Sequence, residues 1–381
     1  MRILRTSAVV LRATPLLLRL SRGQNRPAAD AVHIEAAVRW LLAAQDAAGG
    51  GGFAHSFHLA QGWLPAYPET TGYILSSLLA VKAARADLAP GLAASITRGA
   101  NWLVSVQHAD GAIADMRGTK QVFDTGQVLG GYLDLHRAEP ALIGAARIRR
   151  TAAWLAAVQE PDGRFQRCAF LERPHAYYAR VGAALIRAGR LLDEPAFVAA
   201  GCANLDWTLR QQRANGFFDR LSFAEEPPYL HTMCYVAEGL LDGADGAGRP
   251  DYAAAALRFC RGLLGAAGTS VPVSQYDPSF APANRHYCLT GVAQWAALAL
   301  RLGRAQRDAR FLASAQAALA LLRRRQILGT GDGRLDGGLC GSDPPWGSYL
   351  RLAIPNWAVK FLIDALLAAG AAGAEGSACA I

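Results

Sequence analysis

Six short strings of the sequence combine titratable, aromatic and hydrogen-bonding side chains, and each string precedes or opens an apolar segment. The strings are YPETTGY, KQVFDTG, HAYYAR, YLHT, NRHY and, for the last segment, SDPPWGSY followed by PNW. From each of the first five strings we select one side chain that can exchange a proton, namely Glu69, Asp124, Tyr178, His231 and His286. Because carboxyl, imidazole and phenol groups serve as general acids and bases, we predict that these five residues form a catalytic site.

The same strings carry side chains suited to holding a ligand. Aromatic rings offer flat apolar faces, and arginine binds carboxylate or phosphate groups through forked hydrogen bonds. The predicted ligand-binding residues are Tyr67, Lys120, Tyr177, Arg180, Arg285, Tyr287, Trp346, Asn356 and Trp357. Ordinary structural explanations also exist, since a carboxylate in a first turn stabilises the helix dipole and Thr70 could cap a helix start. The recurrence in all six strings favours one shared pocket.

The apolar segments that follow these strings alternate with amphipathic segments, and both types have the length of helices. Amphipathic helices are predicted at Ile34–Gln45, Ile96–Gln107, Ile148–Gln159, Val198–Gln212, Tyr252–Leu264 and Phe311–Gln326. Apolar helices rich in glycine and alanine are predicted at Thr70–Ala80, Asp124–Leu135, His175–Leu191, His231–Leu241, His286–Leu302 and Asn356–Ala369. The repeating unit is therefore a helical hairpin, which occurs six times.

A closed ring buries all six apolar helices. The sequence thus predicts an all-α protein, an (α/α)6 toroid over residues 31–369, with the apolar helices inside and the amphipathic helices around them. An open solenoid would satisfy the same repeat, but it would need a polar cap at each end, and the sixth apolar helix is as apolar as the others. In a toroid the starts of the inner helices surround one mouth of a central cavity. We expect the proton-exchanging residues to converge there.

The two ends of the chain differ from the repeats. Residues 1–30 contain six arginines, and no acidic residue precedes Asp30. Arg12 and Arg19 interrupt the apolar run that a secretory signal needs, and the segment is too short and too charged to span a bilayer. We predict a basic leader that is either disordered or in contact with an anionic membrane surface. Residues 370–381 are predicted to form a flexible tail.

The composition indicates a folded protein with a large core, since 52% of the residues are hydrophobic and 18% are charged. The net charge of +9 comes almost entirely from arginine. These arginines are spread over many predicted outer helices, so no nucleic-acid partner is expected. The seven cysteines form no CxxC motif, which favours a reducing, cytoplasmic location. No metal or other cofactor is predicted, and the oligomeric state is left open.

Several strings resemble known helical toroids. The hairpin pattern resembles the six-hairpin glycosidase-like proteins and the terpenoid cyclase and prenyltransferase group, and VQEPDGRF and QQRANGFF are similar to degenerate QW repeats of the cyclases. The strings YPETTGYI, NLDWTLRQQ, LHTMCYVAEGL and PNWAVKFLIDAL resemble more closely an uncharacterised bacterial family associated with polysaccharide biosynthesis. This resemblance covers nearly everything after residue 31. It implies a carbohydrate-active protein, and the similar toroid domain of glucuronyl epimerases makes an acidic, uronate-containing saccharide the expected partner.

The chemistry of the isoprenoid alternative is not supported by motifs. The sequence contains neither the DxDD of a class II cyclase nor the DDxxD of a class I site. His231 with Cys234 and His286 with Cys288 lack the Asp-x-Cys partner of a zinc prenyltransferase.

Three saccharide functions remain open. Hydrolysis would use Glu69 and Asp124 as its two carboxyl groups. A lyase or epimerase would use His231 or His286 as the base and Tyr178 as the proton donor, with the uronate carboxylate held by Arg180, Arg285 or Asn356. A toroid that only binds glycan is the third possibility.

Overall fold

The computed structural model describes residues 28–377, with side chains up to residue 371. Twelve α-helices occupy this range, and they alternate between an outer and an inner ring. The outer helices are α1 (Asp30–Ala47), α3 (Ala89–Val106), α5 (Ala145–Val158), α7 (Pro195–Leu209), α9 (Pro250–Ala267) and α11 (Ala309–Arg325). The inner helices are α2 (Pro68–Ala84), α4 (Val122–Ala138), α6 (Ala179–Leu192), α8 (Leu230–Ala247), α10 (Leu289–Gln306) and α12 (Asn356–Ser377). All twelve predicted helices are therefore present.

The inner ring is closed. Each inner helix packs against the next one in the chain, and α12 packs against both α2 and α1. The predicted (α/α)6 toroid is confirmed, and the open solenoid is excluded because its first and last hairpins would not touch. The buried apolar side chains of both rings form one continuous core, which includes Trp40, Tyr132 and Trp295.

Glycine lets the inner helices approach closely. A Cβ atom at Gly131 of α4 would lie 2.2 Å from the carbonyl oxygen of Gly72 in α2. A Cβ atom at Gly239 of α8 would lie 2.4 Å from the backbone carbon of Ala179 in α6. No side chain fits at such distances. The small residues of the inner helices are thus explained by backbone contact across the ring.

Glutamines at the ends of the outer helices join neighbouring hairpins. The amide of Gln45 donates to the Gly51 carbonyl at 2.7 Å and to the Ser95 carbonyl of the next outer helix at 3.1 Å. The amides of Gln159, Gln212 and Gln326 each donate hydrogen bonds to two backbone carbonyl oxygens in the same way. The Gln107 amide donates to the Gly111 carbonyl and to the Thr151 hydroxyl. Gln326 of α11 donates to the carbonyl of His33 in α1, so this set of bonds also closes across the chain ends. The repeated Gln before each turn therefore has a structural explanation.

The strands are short and lie in the loops that lead into inner helices. Strand β1 (Ser56–His58) pairs antiparallel with β2 (Gly62–Trp63) and with β5 (Ala353–Pro355), with Phe57 opposite Trp63 and Ile354. Strand β3 (Tyr287–Cys288) pairs with β4 (Ser342–Asp343). These pairs join the loop before α12 to the loops before α2 and α10, and so fix the loops around one end of the toroid.

The chain ends are only partly described. Residues 1–27 of the predicted basic leader lie outside the described part of the chain, and helix α1 begins at Asp30. Helix α12 continues to Ser377, beyond its predicted end at Ala369, so helical backbone occupies much of the segment predicted as a tail. Within the part of the chain that the structure describes, no helix is long and apolar enough to cross a membrane.

Candidate active site

A cavity of about 430 Å³ opens at the end of the toroid where the inner helices begin. Side chains from the starts of α2, α4, α8 and α12 and from the loops before α2, α4, α6, α8 and α12 line it. The lining residues are His55, Tyr67, Glu69, Thr70, Tyr73, Asp115, Gln121, Phe123, Asp124, Phe170, Tyr177, Phe223, His231, Tyr235, Tyr349, Leu350 and Trp357. The mouth predicted from the repeat thus contains a cavity.

Two carboxyl groups face this cavity from neighbouring helices. Glu69 lies in the first turn of α2 and Asp124 in the first turn of α4. Burial raises the pKa of Glu69 to about 7, although hydrogen bonding by Tyr67 and Tyr73 and the charge of Arg180 oppose the rise. Glu69 therefore retains its proton at a pH where exposed carboxyl groups have lost theirs.

Asp124 is the second carboxyl group of the pair, and it is buried. Its side chain is 4% exposed, and burial followed by the charge of Glu69 raises its pKa well above the usual value. Its Oδ2 atom is buried and has no hydrogen-bond partner within the described chain. A carboxyl group that stays protonated and has a free oxygen can donate its proton to a bound molecule. The pair can thus act as an acid and a base at neutral pH.

Aromatic rings form most of the cavity wall. The Tyr177 and Phe123 rings lie edge to face at 5.3 Å between centroids, and the Tyr235 ring contacts Phe123 at 5.2 Å. The indole nitrogen of Trp357 donates to the Tyr349 hydroxyl at 2.9 Å. These contacts fix the rings before any ligand binds. The wall offers flat faces on which a sugar ring could stack.

His231 lies in the first turn of α8 and lines the cavity. Its side chain is 5% exposed, and its Nδ1 atom lies 2.5 Å from the Gln294 side-chain oxygen. Burial lowers the pKa of His231 to about 3, with the charges of Arg180 and Lys360 acting in the same direction. The imidazole is therefore neutral at neutral pH.

Three of the five predicted proton-exchanging residues, Glu69, Asp124 and His231, thus line one cavity, and two do not. Tyr178 is fully buried, and its hydroxyl accepts a hydrogen bond from the Phe170 amide at 2.8 Å. His286 lies before β3, because α10 begins at Leu289 instead of at His286. Its backbone carbonyl accepts from the Ser274 amide.

Of the nine predicted ligand-binding residues, Tyr67, Tyr177 and Trp357 line the cavity. Six lie elsewhere. Lys120 pairs with Asp110, Arg180 pairs with Glu238 beneath the floor, and Arg285 is exposed on a loop. Tyr287 lies in β3, and Trp346 is 44% exposed outside the lining. Asn356 is fully buried and donates to the Ala54 carbonyl and the Thr70 hydroxyl, both at 2.8 Å.

Eleven lining residues were not among the predicted site residues, and helix geometry could have found two of them. Tyr73 follows Glu69 by four positions, and Tyr235 follows His231 by four positions. Residues four apart lie on one face of a helix, so extending each predicted site residue by one helical turn would have found both. Cationic ligand-binding residues were also predicted, at Lys120, Arg180 and Arg285. No lysine or arginine is among the described residues that line the cavity.

Searches against protein-family models and against curated proteins found no match. Solved structures match over nearly the whole chain. An unsaturated glucuronyl hydrolase specific for heparin gives a TM-score of 0.70 at 16% identity, covering 90% of this chain and 97% of its own. A D-mannose isomerase gives 0.69 at 13% identity, covering 91% and 100%. The cellobiose 2-epimerase of Bacillus thermoamylovorans gives 0.66 at 9% identity, covering 87% and 97%.

The chain has the six-hairpin glycosidase-like α/α-toroid fold. Structural matches at such low sequence identity establish the fold alone, so the chemistry depends on the residues of the cavity. Among the side chains that the structure describes, no group of three or more histidine, cysteine, aspartate or glutamate residues is placed to hold a metal ion.

Proposed function

We propose that this toroid is a carbohydrate-active enzyme that hydrolyses a glycosidic bond in an acidic, uronate-containing saccharide. The observation that carries the proposal is the pair of carboxyl groups with raised pKa values, Glu69 and Asp124, on an aromatic cavity. Hydrolysis of a glycosidic bond needs two carboxyl groups that act as acid and base. The saccharide enzymes with the same fold support the choice of substrate class.

In this proposal Asp124 is the acid and Glu69 is the base. Asp124 gives its proton to the glycosidic oxygen as the bond to the anomeric carbon breaks. A water molecule attacks that carbon and gives a proton to Glu69. The assignment follows from the surroundings of Asp124, because burial and the charge of Glu69 raise its pKa and its Oδ2 atom has no hydrogen-bond partner within the described chain.

Hydrolysis is favoured over lyase or epimerase chemistry by the positions of the other candidates. The proposed proton donor Tyr178 and the alternative base His286 do not line the cavity. His231 does, but a base whose pKa is lowered to about 3 has little driving force to remove a carbon-bound proton. His55 also lines the cavity, and burial lowers its pKa to about 4, so the same argument applies to it. Asp115 is a third lining carboxyl group, but Glu69 and Asp124 are the pair whose pKa values burial raises, and we therefore propose them as the acid and base.

An acidic substrate is supported by the direction of the inner helices. Their N-terminal ends, which carry partial positive charge, point toward the mouth, and this field favours an anionic group. A role in polysaccharide biosynthesis, a cytoplasmic location and contact of the leader with a membrane surface stay part of the proposal and depend on the sequence alone.

The test is a panel of saccharides offered to the purified full-length chain. The panel contains saturated and unsaturated uronyl disaccharides and matched neutral disaccharides, and the products are separated by chromatography. We expect a new reducing end from a uronyl substrate. Asp124→Asn should lower kcat/KM by about 100-fold to 10,000-fold, the usual contribution of a general acid, without loss of helical circular dichroism.

The matched control is Asp219→Asn, because Asp219 is a surface residue paired with Arg213 far from the lining. It should retain full activity. A product with a new ultraviolet-absorbing double bond would instead indicate a lyase. Binding without turnover, or full activity of Asp124→Asn, would overturn the hydrolase proposal.

A further inference from the structure

A series of hydrogen-bonded polar side chains connects His231 to Arg180 through Gln294 and Glu238. Its Nδ1 atom contacts the Gln294 side-chain oxygen at 2.5 Å, and the Gln294 amide nitrogen lies 3.3 and 3.4 Å from the two Glu238 oxygens. Glu238 in turn receives a charge-assisted hydrogen bond from Arg180. Arg180, Glu238 and Gln294 come from α6, α8 and α10, so the series joins three inner helices.

The direction of the hydrogen bonds in this series is forced. Burial raises the pKa of Glu238, and the charges of Arg180 and Lys360 oppose this rise. An ionised Glu238 paired with Arg180 can only accept, so the Gln294 amide must turn its NH₂ group toward Glu238. Its oxygen then faces His231, and only an N–H group can satisfy it. Nδ1 of His231 must therefore carry the proton. Because the ring is neutral, Nε2 has none and keeps a free lone pair.

The charges around the ring oppose a second proton. Arg180 and Lys360 are the cations that act on His231, and the Tyr235 ring packs against it at 4.4 Å between centroids. Glu238 is separated from the imidazole by Gln294. Across the cavity, Glu69 and Asp124 also face the site, but burial keeps both largely protonated up to near neutral pH.

We propose that Gln294 is a positioning residue that holds His231 as the neutral Nδ1–H tautomer, so that Nε2 accepts a hydrogen bond from a hydroxyl of the bound sugar. The tautomer depends only on the structure, whereas the sugar hydroxyl depends on the proposed function. The lone pair on Nε2 of a neutral His231 repels a carboxylate, and it finds no hydrogen-bond donor at a sugar carbon that lacks a hydroxyl group. His231 thus selects a free hydroxyl at that position of the ring, and the uronate carboxylate must face elsewhere.

The tautomer can be tested without any substrate. Long-range proton–nitrogen spectra of the full-length, nitrogen-15-labelled protein distinguish a protonated ring nitrogen from a bare one. We expect one set of His231 signals between pH 6 and pH 8, with the proton on Nδ1 and no titration. A proton on Nε2, or a titration near pH 6.5, would overturn the proposal.

Two substitutions separate positioning from folding. Gln294→Leu removes the acceptor, and Glu238→Gln allows the Gln294 amide to turn around, so each should populate both tautomers. The control is Gln127→Leu, since Gln127 is a buried glutamine that contacts Arg180 but not His231. It should leave the His231 signals in the wild-type tautomer. Wild-type signals in both test variants would refute the positioning role.

Activity supplies an independent readout. In the saccharide panel, Gln294→Leu should lower kcat/KM about tenfold, mainly through KM, as expected for one hydrogen bond to substrate. If no saccharide is turned over, the proposed function fails while the spectra still decide the tautomer. If a substrate is found and Gln294→Leu leaves KM unchanged, the hydroxyl-accepting role is refuted.

Discussion

Replacing Glu69 by glutamine should stabilise the protein at alkaline pH. In the unfolded chain this carboxyl group ionises near pH 4.5, whereas burial raises its pKa in the fold to about 7. Between these values the folded protein holds a proton that the unfolded chain has released. The free energy of unfolding therefore falls as the pH rises from 4.5 to about 7, and it stays at the lower value above that.

The magnitude follows from the two pKa values. At about 1.4 kcal/mol for each pH unit between 4.5 and about 7, the ionised Glu69 costs the fold about 3 kcal/mol at pH 8. Glutamine has nearly the same shape and never ionises. With an unfolding entropy of about 2 cal/mol/K for each residue of the 381-residue chain, Glu69→Gln should raise Tm by about 4 °C at pH 8. At pH 5 the increase should be no more than about 1 °C.

The assay is thermal unfolding followed by circular dichroism in matched buffers at pH 5 and pH 8. The control is Glu225→Gln, because the Glu225 side chain is 84% exposed and pairs only with Arg173 on the surface. Its Tm should shift by less than 1 °C at both pH values. Glu69→Gln should also lose activity, and a variant that is more stable but inactive is typical of a strained catalytic group.

An equal Tm shift of Glu69→Gln at pH 5 and pH 8 would refute this reasoning. It would mean that the glutamine acts through packing or hydrogen bonding and that the carboxyl group is not held in a destabilising environment. A lower Tm at pH 8 would mean that the ionised carboxylate is stabilised in the fold, and the acid and base assignment of the pair would fail with it.

Two further predictions concern the inner ring and the cavity wall. Gly239→Ala should destabilise the protein by about 1–3 kcal/mol in urea unfolding, because the new Cβ would lie 2.4 Å from the backbone of α6. Gly265→Ala, in open space on outer helix α9, should be neutral or stabilising, and equal effects of the two would contradict the close approach. Phe223→Ala should raise KM for a saccharide substrate about tenfold with a smaller change in kcat, since its half-buried ring lines the cavity mouth. An unchanged KM would show that Phe223 only packs the loop.

The sequence by itself determined the architecture and the end of the toroid that carries the cavity. Six hairpins of alternating amphipathic and apolar helices can bury their apolar faces in a closed ring, and the start of each inner helix must then reach the same mouth. For this reason Glu69, Asp124 and His231 could be placed together, since each lies in the first turn of an inner helix. The repeating outer-helix glutamines were visible as a pattern, although their bonds were not.

The tertiary structure decided which of the residues near the mouth face the cavity. Successive residues of a helix point about 100° apart, so a small shift in a helix start turns a side chain from the axis toward a neighbour. Helix α10 starts at Leu289 because Tyr287 and Cys288 pair with the distant strand β4, and this pairing leaves His286 outside the lining. Tyr178 turns away because its hydroxyl satisfies the Phe170 amide.

The charges of the site also depend on residues far apart in the chain. Arg180 meets Glu238 from another helix and is therefore not free to hold a carboxylate in the cavity. Gln294 reaches His231 across 63 residues and sets which of its nitrogens carries the proton. The pKa values of Glu69 and Asp124 rise because the closed ring removes both groups from water, and the charge of Glu69 adds to the rise at Asp124. Local sequence shows which groups are present, but burial and partners are properties of the assembled ring, and they decide what each group can do.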